Sequence, residues 1–394
     1  MDGNAGNDSL MATWLAAVRS GAWLDAGRVR AYSVMVLVAY LPMMAKVYFE
    51  ATGKVGSDFL AFWGAGRLVA NGMAAQVYNL FAEQSAQAAA GTGQMVAYVN
   101  PPPYLFLVWP LGWMPYAAAW LAWSLAGWAL WFAVARKVLP RASLAILAFP
   151  GAYLAASHAQ NGFVTAALLV GAVLALRRSQ ALSGTLFGLL VIKPHLALLV
   201  PFWLAAGRKW TAIAAAAASA SLLCLLSLLV FGADTWRAYP QSFAVSQQLM
   251  AQTSGEFFLR MGTVYSALRL YADANVAMAV QGAVTLITGA LACLYWRRAE
   301  DEQAAGAMLL AATALASPYL FSYDLAFLVQ PVFWLVAQAQ AKGWRPWEKL
   351  ALVALWAAPL ATRAAALPLH INLMPIPAAA LVWMVWKRGR PATP

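Results

Sequence analysis

The chain has few charged residues. Only 10% of its 394 residues are Asp, Glu, Lys or Arg, whereas soluble domains carry about 25%. Hydrophobic residues make up 63% of the chain, and the mean hydropathy is +0.66. These values exclude an ordinary soluble protein, and the alternating pattern of membrane β-barrel strands is absent from the sequence. We therefore predict an all-α integral membrane protein.

Cysteines and histidines are also scarce. Cys224 and Cys293 both fall within apolar runs, so no disulfide framework is expected. His158, His195 and His370 lack the spacing of zinc ligands, and no pair of carboxylates has a spacing suited to magnesium. We therefore expect neither a metal nor another cofactor. The net charge of +12 comes from basic residues clustered between apolar runs, which indicates cytoplasmic membrane anchors rather than a nucleic-acid partner.

The apolar runs predict about twelve membrane-spanning helices, within a range of roughly 10 to 13. They lie at 30–49, 116–135, 142–157, 162–177, 180–193, 194–207, 210–231, 276–296, 303–317, 323–341, 348–366 and 372–387. The run 102–114 is short and is interrupted by Pro110. We expect a juxtamembrane helix there rather than a span.

The basic residues predict which side of the membrane each loop faces. With a cytoplasmic N-terminus, most of the 26 Lys and Arg residues fall in cytoplasmic loops, as the positive-inside rule requires. Both termini are then cytoplasmic. The cations left on the outer side are Lys46, Lys54, Arg67, Lys193, Arg237, Arg260, Arg269 and Arg363.

This topology implies three parts of the chain. Residues 1–29 form a cytoplasmic segment, residues 30–387 form a single transmembrane domain, and residues 388–394 form a cytoplasmic tail. The domain has two large extracytoplasmic loops, 50–115 and 232–275. An interfacial amphipathic helix in the first segment is indicated by apolar residues at helical spacing, namely Leu10, Met11, Trp14, Leu15 and Val18.

The polar motifs of the chain all fall on the predicted outer side. They are GSDF (56–59), NPPP (100–103), SHAQNG (157–162), KPH (193–195) and SPYLFSYD (317–324). A lipid or solute transporter would place polar groups near the membrane midplane. Their concentration on one side favours an enzyme with an extracytoplasmic active site.

Asp58 stands directly before an apolar helix predicted over 59–71. Phe59, Phe62 and Trp63 have a spacing suited to a helix that lies in the membrane interface. Asp58 is therefore interpreted either as the N-cap of this helix or as a catalytic base that also caps it. The unusual length of loop 50–115 favours the base.

Lys193 and His195 are ionisable residues within a long apolar stretch, and such residues are costly unless they have a function. Pro194 predicts a turn at the outer membrane boundary. A cation there could bind a phosphate at the bilayer surface. The alternative is a lysine that snorkels beside a turn.

Three further polar residues lie in the turn at His158, Gln160 and Asn161. They form either an ordinary polar turn or hydrogen bonds to a sugar or phosphate.

Asp324 enters an apolar run, and Tyr319 and Tyr323 flank it. It is interpreted either as the partner of a nearby cation or as a residue of the active site. Glu256, in the second large loop, is a weaker candidate.

The order of these motifs resembles glycosyltransferase family 87 over roughly residues 50–340. The segments that carry the resemblance are SDFLAFWGAGRLVANG, VYN, NPPPYLFLVWPLGWMPYAAAWLAWSLAG, HAQNGFVTAALLVGAVLAL, SGTLFGLLVIKPHLALLVPFWLAAGRKW and ASPYLFSYDLAFL. The chain differs from the family at two places. It has His158 and Ala159 before Gln160-Asn161, where members often have Gly-Gln-Asn, and it has His195 where members often have Gln.

The resemblance implies a GT-C fold with juxtamembrane helices in the first outer loop. It also implies transfer of mannose from a polyprenyl phosphate donor, without a nucleotide, to a glycolipid, polysaccharide or protein acceptor. Asp58 would be the general base of a single inverting displacement, and Lys193 would contact the donor phosphate, with His195 and Arg67 as further cations. A transferase of another polyprenyl-phosphate sugar (pentose, hexose or aminosugar) is the alternative.

Overall fold

A computed structural model describes residues 13–252, 255–299 and 301–389. In this part of the chain the only β-structure is an isolated bridge between Met261 and Phe321, and the all-α prediction is confirmed.

Twenty-one α-helices follow one another along the described chain. The first ten are α1 (13–20), α2 (Ala26–Thr52), α3 (Phe59–Ala70), α4 (Leu80–Ala88), α5 (Leu105–Val108), α6 (Tyr116–Ala135), α7 (Ser143–Leu147), α8 (Pro150–Ser157), α9 (Gly162–Ala175) and α10 (Gln180–Gly188). The others are α11 (Val200–Ala206), α12 (Trp210–Phe231), α13 (Ala233–Ala238), α14 (Gln241–Gln252), α15 (Glu256–Leu259), α16 (Val264–Arg269), α17 (Ala274–Tyr295), α18 (Glu302–Ala316), α19 (Val329–Lys342), α20 (Glu348–Leu369) and α21 (Pro375–Arg388). Short 3-10 helices connect several of them, among them Leu189–Ile192, Pro194–Ala197 and Ser322–Leu328.

Five helices of the described residues are long and apolar enough to cross a membrane, namely α2, α6, α12, α17 and α20. The other predicted spans form shorter or broken helices. The run 142–157 divides into α7 and α8 at Pro150, because the residue before a proline avoids helical geometry. The described chain is therefore a helical membrane protein, and the count of about twelve spans stays a prediction.

The helix α18 lies at the centre of the molecule, where every residue from Ala304 to Ala316 is buried. Small residues allow this close packing. A Cβ on Gly306 would lie 2.1 Å from a methyl carbon of Val173 in α9.

Segments predicted to be cytoplasmic meet at one end of the molecule. The backbone nitrogen of Trp347 donates to the carbonyl of Arg19 at 2.7 Å, and Lys349 Nζ donates to the carbonyl of Gly21 at 3.0 Å. Arg388 Nε donates to Glu348 Oε1 at 2.7 Å. Leu10, Met11 and most of the predicted tail lie outside the described residues.

Segments predicted to be extracytoplasmic meet at the opposite end. Asn372 Nδ2 donates to the carbonyl of Met261 at 2.8 Å, and Ser322 N donates to the carbonyl of Arg260 at 3.1 Å. The chain thus gathers its polar motifs at one end, and which membrane face that end occupies stays a prediction.

The helix α3 lies inside the protein, and our prediction that its rings insert into the membrane interface is wrong. Phe59, Phe62 and Trp63 are 0%, 1% and 1% exposed. They pack on rings from the following segments, such as Tyr104 and Tyr116. The apolar spacing is satisfied by burial within the loop itself, a tertiary contact that helical periodicity cannot distinguish from membrane contact.

The segment 102–113 packs directly on α3. A Cβ on Gly66 would lie 2.3 Å from the carbonyl oxygen of Val108, and one on Gly112 would lie 2.1 Å from that of Gly66. Glycine at both positions allows the two backbones to touch. Loop 50–115 is therefore a packed layer of short helices that supports Asp58.

Candidate functional site

A tight turn at residues 158–161 forms one wall of the site. The helix α8 ends at Ser157, and Ala159 adopts a left-handed conformation with φ of 45°, which few residues other than glycine take up readily. A Cβ on Gly162 would lie 2.0 Å from the carbonyl oxygen of Tyr323. Glycine at this position therefore lets the turn rest on the backbone that precedes Asp324.

A second wall comes from the interruption at Lys193. The 3-10 helix Leu189–Ile192 ends there, and Lys193 has an extended φ of −152° and a ψ of 71°, because Pro194 disfavours helical geometry in the residue before it. The Lys193 side chain is buried.

The ammonium group of Lys193 joins the two walls. Its Nζ lies 2.5 Å from Asp324 Oδ1 and donates to Asn161 Oδ1 at 2.9 Å. Asp324 Oδ2 accepts from the backbone nitrogen of Phe321 at 3.1 Å. Of the two interpretations of Asp324, a partner for a nearby cation is the one seen in these contacts. Lys193 is not a free cation, and its role toward a phosphate stays a prediction.

Asn100 extends this network to the first outer loop. Asn161 Nδ2 donates to Asn100 Oδ1 at 3.3 Å, and the hydroxyl of Tyr78 donates to the carbonyl of Asn100 at 2.8 Å. The Asn100 side chain was not among our predicted site residues. The NPPP motif marked this segment in the sequence. The contact with Asn161, which assigns a role to the asparagine side chain, is visible only in the structure.

Aromatic rings cover the ion pair. Lys193 Nζ lies 5.1 Å from the centre of the Tyr323 ring, a distance that allows a cation–π contact. The Tyr323 ring stacks on Phe321 and contacts His158, and Tyr319 contacts His195. The predicted residues Tyr319, Tyr323, His158 and His195 therefore surround the pair.

Asp58 lies beside this cluster. It precedes α3, yet its side chain makes no capping hydrogen bond. Its carboxylate lies within electrostatic range of His158, Tyr319 and Tyr323. Within the described part of the chain, no hydrogen bond or ion pair engages this carboxylate. The half-buried Asp58 therefore has acceptor capacity available for another molecule.

The surroundings of His158 favour its neutral form. Its Nδ1 lies 3.0 Å from the carbonyl of Leu154 and so carries the proton that this contact requires. Burial lowers the pKa of His158, and the positive charges of Arg363 and Arg260 lower it further, whereas Asp58 and the Leu154 carbonyl act in the opposite direction. The imidazole therefore offers Nε2 as an acceptor.

Three predicted residues contribute less to this geometry. Arg67 lies nine residues beyond Asp58 in α3, about 13 Å along the axis, and stacks over the Trp63 ring with 4.9 Å to its centre. Gln160 is half-buried in the turn, and its side chain makes no hydrogen bond to the described residues. Glu256 is exposed at the start of α15.

Two arginines that we had not predicted lie at the same site. The electrostatic contacts of His158 include Arg260 and Arg363. Both had been assigned to the outer side, but they stand 103 positions apart in the sequence, and no motif links them.

Among the described residues, no group of three or more His, Cys, Asp or Glu side chains has the arrangement of a metal site.

In a comparison with models of protein families, residues 98–318 match the model of glycosyltransferase family 87. Comparisons with the curated proteins and with the solved structures found no match. The matched segment covers more than half of the chain and includes Asn100, Asn161 and Lys193. The chain belongs to glycosyltransferase family 87 and is a membrane glycosyltransferase that uses a sugar donor and an acceptor.

Proposed function

Starting from membership in glycosyltransferase family 87, we propose that this protein transfers a hexose from a polyprenyl phosphate donor to an acceptor on the extracytoplasmic face of a bacterial inner membrane. Mannose is the sugar that we favour, and the acceptor is a glycolipid, a polysaccharide or a protein. The proposed fold is of the GT-C type.

The observation that carries this proposal is the contrast between two carboxylates. Asp324 is fully buried and paired with Lys193 at 2.5 Å, so its carboxylate is not presented to a ligand. Asp58 is accessible and has no internal hydrogen bond in the described structure. A base must lie within hydrogen-bond reach of the proton it removes, and Asp58 meets that requirement for a ligand that enters the cluster.

The reaction is a single displacement at the anomeric carbon. The acceptor hydroxyl oxygen forms a bond to C1 while the bond from C1 to the phosphate oxygen breaks. Asp58 takes the hydroxyl proton, and the bonding electron pair leaves with the lipid phosphate. A β-linked donor then gives an α-linked product.

The buried network positions the groups that contact the substrates. Lys193 holds Asp324 and Asn161 in place, and Asn161 connects to Asn100 in the loop that carries Asp58. Tyr319, Tyr323 and His158 line the part of the site nearest Asp58. Their aromatic rings can pack against a sugar ring, and the imidazole of His158 can accept a hydrogen bond from a sugar hydroxyl. His195 packs behind Tyr319.

The test uses the full-length protein in membranes of defined lipid with radiolabelled polyprenyl-phosphate-mannose and a membrane lipid extract as acceptor. Asp58→Asn keeps the shape of the side chain but cannot accept the proton, so transfer is expected to fall about 10²–10⁴-fold. Asp234→Asn is the matched control, because Asp234 is an exposed acid of the outer loop that is paired with Arg237. Its activity is expected to equal that of the wild type.

Each outcome has a defined meaning when both variants express and melt like the wild type. Loss in Asp58→Asn alone supports the base. Equal transfer by Asp58→Asn removes Asp58 from that role. Transfer from another polyprenyl-phosphate sugar, with none from the mannose donor, would replace mannose and retain the donor class.

A further inference from the structure

Arg260 and Arg363 form a pair of like charges without acidic partners. The two guanidinium groups lie within electrostatic range of each other. Neither has an ion pair with a described Asp or Glu, and Arg363 Nε is buried without a hydrogen-bond partner. Like charges repel, and a buried donor without a hydrogen-bond partner is costly, so this arrangement suits the binding of an anion.

The fold brings these arginines to the face of the site already described. Arg260 precedes Met261, which bridges to Phe321, and its carbonyl accepts from Ser322 N at 3.1 Å. Arg363 lies near the predicted outer end of α20 and lines a cavity of about 10 Å³, roughly the space of one water, together with Ser322. Both arginines therefore flank the segment that contains Asp324.

The charged groups named so far sum to one positive charge. Lys193 and Asp324 compensate each other, and His158 is neutral. Asp58 carries one negative charge against the two positive charges of the arginines. The remaining positive charge is matched by a phosphodiester, which carries a single negative charge.

We propose that Arg260 and Arg363 bind the phosphate of the lipid-linked sugar donor and stabilise it as the leaving group. This assignment rests on the proposed donor class. The phosphate gains charge as the bond to C1 breaks, since a phosphate monoester carries about −1.5 to −2 at pH 7. Two guanidinium groups therefore stabilise the departing phosphate more than the bound donor, which is the requirement for catalysis.

The test measures binding by the full-length protein in detergent, without the transfer reaction. Three ligands are compared, namely a polyprenyl phosphate, the matching polyprenol and inorganic phosphate. The variants are Arg260→Gln, Arg363→Gln and Arg237→Gln, the last as a control because Arg237 is an exposed outer arginine that is paired with Asp234. The wild type is expected to bind the polyprenyl phosphate at least about 10-fold more tightly than the polyprenol.

Arg260→Gln and Arg363→Gln are each expected to lower the preference for polyprenyl phosphate over polyprenol about 10-fold. Polyprenol binding should be unchanged, which also shows that each variant is folded. Arg237→Gln should retain the preference. If Arg363→Gln does not fold, Arg363→Lys is the substitute, since it keeps the charge but loses the planar fork, and its preference is expected to fall between those of the wild type and Arg260→Gln.

Three outcomes would overturn the assignment. A full preference for the phosphate in both Gln variants would remove the arginines from the donor site and leave the proposed function intact. Inorganic phosphate that bound as tightly as the polyprenyl phosphate would make the pair a free-phosphate site. A wild type with no preference for phosphate over alcohol would instead refute the proposed donor class, and with it this assignment.

Discussion

The buried pair of Lys193 and Asp324 allows a quantitative test of how the site is held together. The two side chains are 7% and 0% exposed, so solvent screens neither charge. Lys193→Met leaves the Asp324 carboxylate with one backbone donor, and Asp324→Asn leaves a buried ammonium group without its counter-charge. Removal of one partner of such a pair costs about 3–5 kcal/mol.

The double variant Lys193→Met/Asp324→Asn removes both charges together. The amide introduced by Asp324→Asn still offers an oxygen to the backbone nitrogen of Phe321, so the principal remaining loss is the lysine hydrogen bond to Asn161. We expect the double variant to be more stable than either single variant, with a coupling energy of about 2 kcal/mol or more.

The assay is thermal unfolding of the purified protein in one detergent, with the four proteins of the cycle compared in parallel. Lys209→Met is the control, because the Lys209–Glu302 pair is 17% and 30% exposed, and such partly exposed pairs contribute about 0–1 kcal/mol. Additive losses in the double variant would refute the argument that the two charges stabilise the native state only as a pair.

Two further predictions concern Glu83, a buried residue of α4 in the first outer loop, and the turn at residues 158–161. Burial raises the pKa of Glu83 well above its ordinary value, so the native state retains a proton that the unfolded chain releases. Between the ordinary pKa and the raised one, stability falls by about 1.4 kcal/mol per pH unit. The melting temperature of the wild type should therefore drop between pH 5 and pH 8 relative to Glu83→Gln; parallel curves would contradict this. A Cβ at Gly162 would lie 2.0 Å from the Tyr323 carbonyl, so Gly162→Ala should displace the turn and lower transfer about 100-fold. Gly282→Ala in α17, where a Cβ meets nothing within 4 Å, is the control and should keep full activity. Equal transfer by Gly162→Ala and Gly282→Ala would contradict a role for the contact between Gly162 and Tyr323.

Helix positions followed from local sequence where the apolar run was uninterrupted. The predicted spans 116–135 and 210–231 coincide with α6 and α12, because length and composition alone decide whether such a run is helical in a membrane. Breaks at Pro150 and Pro194 shortened other helices, since proline acts locally but its effect on a whole span depends on the packing around it.

The candidate site followed from the sequence only in part. Asp58, Lys193, Asn161 and Asp324 were recognised because polar residues are rare in this chain and are costly in apolar surroundings. Their arrangement was not predictable, because Lys193 and Asp324 are 131 positions apart and no local pattern records which charge meets which.

The amino-acid sequence alone established the helical membrane class, the polar motifs and the resemblance to the family, because these depend on composition and on short-range order. The tertiary structure decided that α3 is buried rather than interfacial, that Lys193 is compensated by Asp324, and that Arg260 and Arg363 face the same site. Each of these depends on contacts between distant segments, and the electrostatic and packing energies of such contacts exist only once the chain is folded.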